Sequence, residues 1–385
     1  MRIHSSGSQL TPGTQHWPSP AVWPPPPKRS ASIALFSSEG GLLGWRAVEL
    51  ALKRQIARVS PVRAVANLHS ESGRAHPVSA PVSASGAKAE RCLLCGTALR
   101  VRFDKVRDFV TGENFSVLAC DTCQLGVTAP KVSDLGRYYG PQYWGGRHGF
   151  TAEYCARRRV KLLGGMARLA PGSRVLDFGS GDGNFLRRTS REGWVSFGFE
   201  ASFLPENKAP GGYEVFTNMD DVRSRGPFDA ITLWHVLEHL PDPLATLKEL
   251  EGMLRPRGVI VLGVPDFQGV QAQTFGAHWM HLDVPRHLFH FGRTSLERLL
   301  SLAGLSPFRW WNHEFEYDVM GWSQSALAKA GVPVAFFNAV TGRMPFGAKW
   351  AAAMACGSAV SAATLPLALK FGSSITVAAR RLDPR

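Results

Sequence analysis

Three sets of residues in this 385-residue chain have types and spacings that suit chemistry. The first is Arg174-Val-Leu-Asp177-Phe-Gly179-Ser180-Gly181-Asp-Gly183. An apolar run ends in an acid, three glycines follow at alternate positions, and a helix-like run opens at Asn184. Glycines at such a turn let the backbone reverse sharply and approach a nucleotide-type ligand closely. Glu200 closes the next apolar run, 23 positions after Asp177. A carboxylate there can accept hydrogen bonds from both hydroxyls of a ribose. The second set is histidine-rich: His235-Val-Leu-Glu238-His239, and residues 278–290, which hold His278, His281, His287 and His290, four of the twelve histidines. Such groups take protons or hold a divalent metal. The third set is Cys92-x-x-Cys95 and Cys120-x-x-Cys123, with 24 residues between the pairs. Four thiolates so spaced can close a tetrahedral zinc site, which has no open position and so holds structure rather than reacting.

The elements that must carry these residues alternate. Apolar runs at 174–178, 194–200, 213–216, 228–234 and 258–265 read as strands, separated by helix-like stretches, and Ser374–Ala379 reads as a last strand. That order predicts a parallel α/β sheet covered on both faces, with ligands in the crevice beyond the C-terminal strand ends. Both histidine clusters follow strands, so both are expected at its mouth. Leu99–Phe103 and Asn114–Leu118, between the cysteine pairs, are expected to pair as strands.

The Asp-x-Gly-x-Gly-x-Gly turn, the acid at Glu200 and the strand order resemble the class I S-adenosylmethionine-dependent methyltransferases over about residues 138–316 plus the last strand. The resemblance implies a Rossmann-like, seven-stranded methyltransferase sheet. It implies a cofactor site drawn from Asp177, Gly179, Ser180, Gly181, Gly183, Glu200, Asp220 and Trp234. It is closest in kind to bacterial enzymes that methylate small molecules, sugars, lipids or quinones, and the histidines favour oxygen as acceptor atom. Three readings of those histidines stand open. His239, His287 or His235 is a general base. Alternatively Glu238, His239 and a histidine of the second cluster hold a divalent metal, as in small-RNA 2′-O-methyltransferases and some quinone O-methyltransferases, which carry a further acid where this chain has Trp234 or His235. Or the residues only cap and pack, with Asp242-Pro243 starting the next helix as N-cap and first residue. Arg286 either anchors an anionic acceptor or pairs with Asp283.

The organisation expected is a disordered, Ser/Pro/Gly-rich extension over 1–90, a zinc-ribbon-like module over 91–130, and a methyltransferase domain over 131–385 with a hydrophobic helical insertion at about 318–370. Gly41 to Leu68 can form a basic amphipathic helix, read either as an extension or as a targeting segment. The aromatic stretch Tyr138, Tyr139, Tyr143 and Trp144 is expected to cover the cofactor or to pack between units. The charge-free runs 330–342 and 350–369 suit a lid over the site or a segment lying in a membrane interface, and poorly suit a span. Net charge is +14, six of it in residues 1–90. With Arg91, Arg100, Arg102, Lys105 and Arg107 in the cysteine module it keeps an RNA methyltransferase in view, and a non-catalytic cofactor-binding protein is the other alternative. No apolar secretory segment is visible near Met1, and the cysteines form no disulfide framework, so a cytoplasmic setting is expected, with contact to the inner membrane face through 330–370 under the interfacial reading.

Overall fold

Residues 174–178, 228–234 and the latter part of 254–265 are apolar and almost wholly buried, as strands covered on both faces must be. In the computed structural model they form the centre of the larger sheet. The structure describes residues 90–139, 152–201, 212–332 and 348–382, with side chains from 355 onward in the last stretch. These all belong to one compact unit. The expectations for residues 1–89, for Tyr143 and Trp144, and for 333–347 lie outside the described residues.

The larger sheet contains β4 (Arg174–Phe178), β5 (Val195–Phe199), β6 (Tyr213–Phe216), β7 (Phe228–Trp234), β8 (Leu254–Pro265), β10 (Leu305–Trp311) and β11 (Ser374–Arg381). Its order is β10-β11-β8-β7-β4-β5-β6. β4 to β8 run parallel, and β11 lies antiparallel between β8 and β10. This is the Rossmann-like, seven-stranded architecture the sequence implies. The chain leaves β4 towards β5 and β6, then returns to β7 and β8 on the other side. That reversal opens a crevice at the C-terminal ends of β4 and β7. The helices include α1 (Ala152–Ala167), α2 (Asn184–Arg191), α3 (Met219–Arg225), α4 (Pro243–Gly252), α5 (Val270–Phe275) and α6 (Arg293–Leu302). Asp242 caps α4, its carboxylate accepting the Ala245 N–H at 2.9 Å, and Pro243 fills the first turn.

A smaller antiparallel sheet stands beside it: β1 (Arg100–Arg107), β2 (Asn114–Ala119), β3 (Gly126–Ala129) and β9 (Phe289–His290). β1 and β2 pair with Arg100 opposite Ala119 and Phe103 opposite Val117. The fourth strand comes from the far side of the sequence: Gly126 faces His290 and Val127 faces Phe289. The contact is close enough to require glycine, because a Cβ on Gly126 would lie 2.7 Å from Phe267 and 2.8 Å from the His290 Cβ. The cysteine knuckles also pack into the larger core, with Cys92, Leu94, Cys120, Cys123 and Leu125 in one cluster with Phe291, Leu296 and Leu299. Residues 91–130 therefore share a sheet and a core with the C-terminal part of the chain, where the sequence suggests a separate unit. A strand of two residues has no periodicity to reveal it.

Before β11 come α7 (Phe315–Lys329) and α8 (Ala348–Lys370). The Trp322 indole N–H donates to Phe371 O at 3.0 Å, and the buried Asp318 carboxylate accepts the Ser373 N–H at 2.7 Å and its hydroxyl at 2.9 Å. These bonds lock the end of α8 to α7. Among the described residues no helix is long and apolar enough to cross a membrane.

Candidate functional site

The glycine turn lies where the crevice opens. Gly179 and Gly183 have φ of +80° and +72°, in the left-handed region. A Cβ on Gly179 would collide with Val236, and one on Gly183 would lie 2.8 Å from the Tyr213 hydroxyl. The turn is thus packed between the start of β6 and the exit of β7. Gly181 faces open space. The Gly179 and Ser180 N–H groups donate to Phe199 O at 2.8 and 3.0 Å, which fixes the turn to the end of β5. Glu200, next in the chain, accepts the Gly181 N–H at 2.9 Å. Asp177 is buried beneath the turn, accepting the Thr232 hydroxyl at 2.7 Å. Burial pushes its carboxyl up to about 7, against the lowering effect of Thr232 and Arg159.

Trp234 ends β7 with its ring edge-on to Phe185 of α2 (centroids 5.9 Å) and beneath the Arg159 guanidinium of α1 (4.8 Å). Arg159 and Arg158 reach Glu314 at 3.3 and 2.7 Å, and Arg158 also reaches Glu316 at 2.9 Å. His235 donates from Nε2 to the same Glu314 and stacks on Tyr317 of α7 (4.0 Å between ring centroids). Burial alone would raise Glu314, but Arg159 and His235 hold it well below the usual carboxylate range. Burial alone would lower His235, yet Tyr317, Glu314 and Glu238 lift it to about 10. Its two ring nitrogens face carboxylates, Nε2 bonded to Glu314 and Nδ1 3.5 Å from Glu238, which places it in an ion network that ties α1 and α7 to the exit of β7.

The next residues differ. A 3₁₀ turn, Leu237–His239, presents Glu238 and His239 side by side, and His287 approaches from the segment after α5. Atoms of all three that can bind a metal lie within 4.8 Å of one another. Glu238 is 1% exposed, yet neither carboxylate oxygen has a hydrogen-bond partner. The nearest charges are His235 Nδ1 at 3.5 Å and His287 Nε2 at 3.9 Å. The two imidazoles lie edge to face, 4.6 Å between centroids. His239 Nδ1–H donates to Arg286 O at 3.0 Å, and His287 Nδ1–H donates to His281 O at 2.9 Å. A carbonyl only accepts, so each ring carries a hydrogen on Nδ1; His287 Nε2 lies 3.7 Å from Asp283 and 3.9 Å from Glu238.

The remaining candidates divide. His281 is driven by burial down to about 4 and His290 to about 3, and both are enclosed, whereas His278 is exposed. Tyr139 brings its hydroxyl to 3.5 Å from His239 Nδ1. Asp220 is an exposed residue at the start of α3, paired with Arg223. Arg286 is fully buried and bonded to Asp283 and Asp108 (both 2.8 Å) and to Tyr138 O (2.7 Å), so it serves the fold and does not face an acceptor. Asp108, Thr128, Arg159 and Glu314 carry no local motif and went unmarked in the sequence. Only the acidic flanks of an aromatic helix start hinted at Glu314.

The four cysteines converge: Cys92 and Cys123 sulfurs are 3.3 Å apart, Cys95 and Cys120 are 3.4 Å apart, and Cys95 and Cys123 are 3.8 Å apart. Each knuckle closes with a left-handed residue just past its second pair member, Gly96 (φ +73°) and Gln124 (φ +60°). The neighbouring basic side chains are engaged locally, Arg100 with Asp121 at 3.3 Å and Arg102 over the Phe267 ring at 4.4 Å.

Residues 147–307 match the family described as a methyltransferase domain. The chain is 32% identical over 108 residues to a ubiquinone biosynthesis O-methyltransferase of Xanthomonas campestris pv. campestris (strain B100), covering 25% of this chain and 45% of the relative. It is 22% identical over 189 residues to the protein of that name from Escherichia coli O139:H28, covering 46% and 71%. The chain thus spans about half the length of the first of these relatives. It is also similar to the crystal structure of a SAM-dependent methyltransferase from Geobacter sulfurreducens in complex with S-adenosyl-L-homocysteine, at 17% identity and a TM-score of 0.39 over 60% of this chain and 97% of that one.

The Asp177 environment makes a pH prediction. Its carboxyl titrates near 3.8 when unperturbed and near 7 in the fold. The folded state therefore holds this proton more tightly, and the group's contribution is complete below about pH 4 and lost as pH rises through 7. Asp177→Asn should gain stability over the wild type by roughly 2–3 kcal/mol between pH 5 and pH 8, read from urea unfolding at both. A difference that stays constant with pH would contradict the buried, proton-holding state.

Proposed function

The chain carries a class I, S-adenosylmethionine-dependent methyltransferase domain at residues 147–307, and from that premise we propose that the protein methylates an oxygen of a small-molecule acceptor beside Glu238, His239 and His287. The observation that carries the reading is the buried Glu238 carboxylate with a ring nitrogen of His239 and one of His287, all within 4.8 Å of one another at the exit of β7. The relatives named as ubiquinone biosynthesis O-methyltransferases favour an acceptor of the quinone class.

Methyl transfer is an in-line displacement. The acceptor oxygen bonds to the methyl carbon as the carbon–sulfur bond breaks, its electrons staying on sulfur, and the acceptor's proton must leave to a base. Asp177, Gly179, Ser180, Gly181, Gly183, Glu200 and Trp234 are the residues proposed to hold the donor, with Glu200 on the ribose hydroxyls and the glycines admitting close backbone approach. Asp220, at the start of α3, remains the family's expected adenine neighbour. His235, Glu314 and Arg159 hold α1 and α7 against this end of the sheet and so help exclude water.

One carboxylate and two imidazoles form a donor set that suits a first-row divalent cation. Glu238, His239 and His287 would hold such an ion. It would supply Lewis-acid chemistry, lowering the pKa of a bound hydroxyl. The second reading keeps the same residues without metal and makes His239 or His287 the general base. For the four cysteines we propose structural zinc. Sulfurs bound to one zinc at about 2.3 Å lie about 3.8 Å apart, and the observed separations are close to that.

Three outcomes are expected. Glu200→Ala should weaken calorimetric affinity for S-adenosylhomocysteine by roughly 1.5–3 kcal/mol, and unchanged affinity would remove Glu200 from the cofactor site. With methyl-labelled S-adenosylmethionine and a panel of hydroxylated quinones, label should reach oxygen. That transfer should fall at least tenfold with chelator or in Glu238→Gln, whereas transfer indifferent to chelator but lost in a histidine variant would select the metal-free base. Purified protein should contain about one zinc per chain from one four-thiolate site, lost in Cys120→Ser together with several degrees of Tm because the knuckle shares the main core. A fully folded wild type without zinc would overturn that assignment.

A further inference from the structure

The segment that presents His287 is held from the cysteine-bearing sheet. Thr128 of β3 donates its hydroxyl to His287 O at 2.6 Å and its N–H to Leu288 O at 3.0 Å. The same hydroxyl oxygen accepts His290 Nε2–H at 2.9 Å. Leu288 in turn donates its N–H to Glu238 O at 2.8 Å. A backbone ladder thus runs from β3 through Leu288 to Glu238. A second hold acts four residues away from the His290 end: Asp108, just past β1, is 2.8 Å from the Arg286 guanidinium, both side chains being fully buried. The carbonyl of that same Arg286 receives His239 Nδ1–H. The smaller sheet thus grips, at two points, a short segment that carries the His287 backbone and orients the His239 ring, while the His287 ring is held by His281 O. The knuckle that starts β3 contains Cys120 and Cys123, and Gly126 then lets the strand lie directly against His290.

We infer that the cysteine-bearing sheet is part of the active centre, with Thr128 a positioning residue that holds the backbone from which His287 is presented beside Glu238 and His239. This rests on the reading of Glu238, His239 and His287 as the reacting end of the site, but it does not depend on whether a metal or a proton occupies it. Losing a partner that orients a ligating histidine typically costs 10–100-fold in metal affinity. A module that served only to recognise a partner would leave the imidazoles unchanged when Thr128 is altered.

The test compares Thr128→Val, which keeps the shape and drops the hydroxyl, with Thr128→Ser, which keeps the hydroxyl. Three properties are measured on the full chain with its zinc: Mn²⁺ affinity by electron paramagnetic resonance, S-adenosylhomocysteine affinity by calorimetry, and imidazole tautomers by ¹⁵N-histidine NMR. The wild type should show His287 as a single Nδ1–H tautomer. Thr128→Val should bind Mn²⁺ at least tenfold more weakly and show a mixed His287 tautomer at unchanged cofactor affinity, with Thr128→Ser restoring both. Should the valine variant not fold, Thr128→Ala takes its place. A wild type that ignores Mn²⁺ would sink the metal reading alone, and the tautomer change would still decide the positioning role. If Thr128→Val keeps both the single tautomer and, where the wild type binds, its Mn²⁺ affinity, or if the serine variant fails to restore them, the positioning role is overturned.

Discussion

Leu288 is hydrogen-bonded on both sides of its peptide: its N–H to Glu238 O, its C=O to the Thr128 N–H. Two sheets built from distant parts of the chain are stitched at that residue, and the arrangement of Glu238, His239 and His287 follows from it. A shift of β3 along β9 would move the carbonyl that Thr128 grips. The buried Arg286–Asp108 pair enforces the same register with charge. Removing Arg286 would leave the buried Asp108 charge without its cation, a penalty of about 3–5 kcal/mol. Such a pair adds little net stability over an apolar equivalent, but it permits one placement of the segment and penalises the rest.

The other wall of the crevice is held differently. Glu314, Arg158, Arg159, Glu316 and His235 join α1, α7 and the exit of β7 through charges that are mostly buried. Here buried charges hold Trp234 under Arg159 and Tyr317 against His235. His235 itself adopts φ of +56°, an unusual backbone for a residue with a side chain, with its N–H donated to Gly263 O and its ring bonded to Glu314. Within five residues the chain places His235 in that network and Glu238 and His239 beside His287.

Much of this was legible before any coordinates. The glycine turn, Glu200 and the alternation of buried strands obey local rules, because a turn with positive φ and a strand buried on both faces constrain the residues that form them. The cysteine spacing led to a converged cluster for the same reason. Local pattern could not supply which distant residues meet. Thr128 and His287 are 159 positions apart and Asp108 and Arg286 are 178 apart, and neither Thr128 nor Asp108 has a neighbourhood that marks it. The histidine cluster was visible as composition. Its sorting into a packed pair, an exposed residue and one site residue depended on burial and on carbonyl partners that only the fold provides. For the same reason residues 91–130 read as a separate unit, while β9 makes their three strands part of a shared sheet.

The most direct test is anomalous diffraction from crystals of the full chain grown with Mn²⁺ and S-adenosylhomocysteine, collected at the zinc and manganese edges. The account predicts a zinc peak among Cys92, Cys95, Cys120 and Cys123. It also predicts a manganese peak bounded by Glu238, His239 and His287, with the cofactor's sulfur on the same side of the sheet. Zinc at the cysteines with no manganese and no cofactor sulfur beside Glu238 would contradict the claim that this cluster is the reacting end of the site.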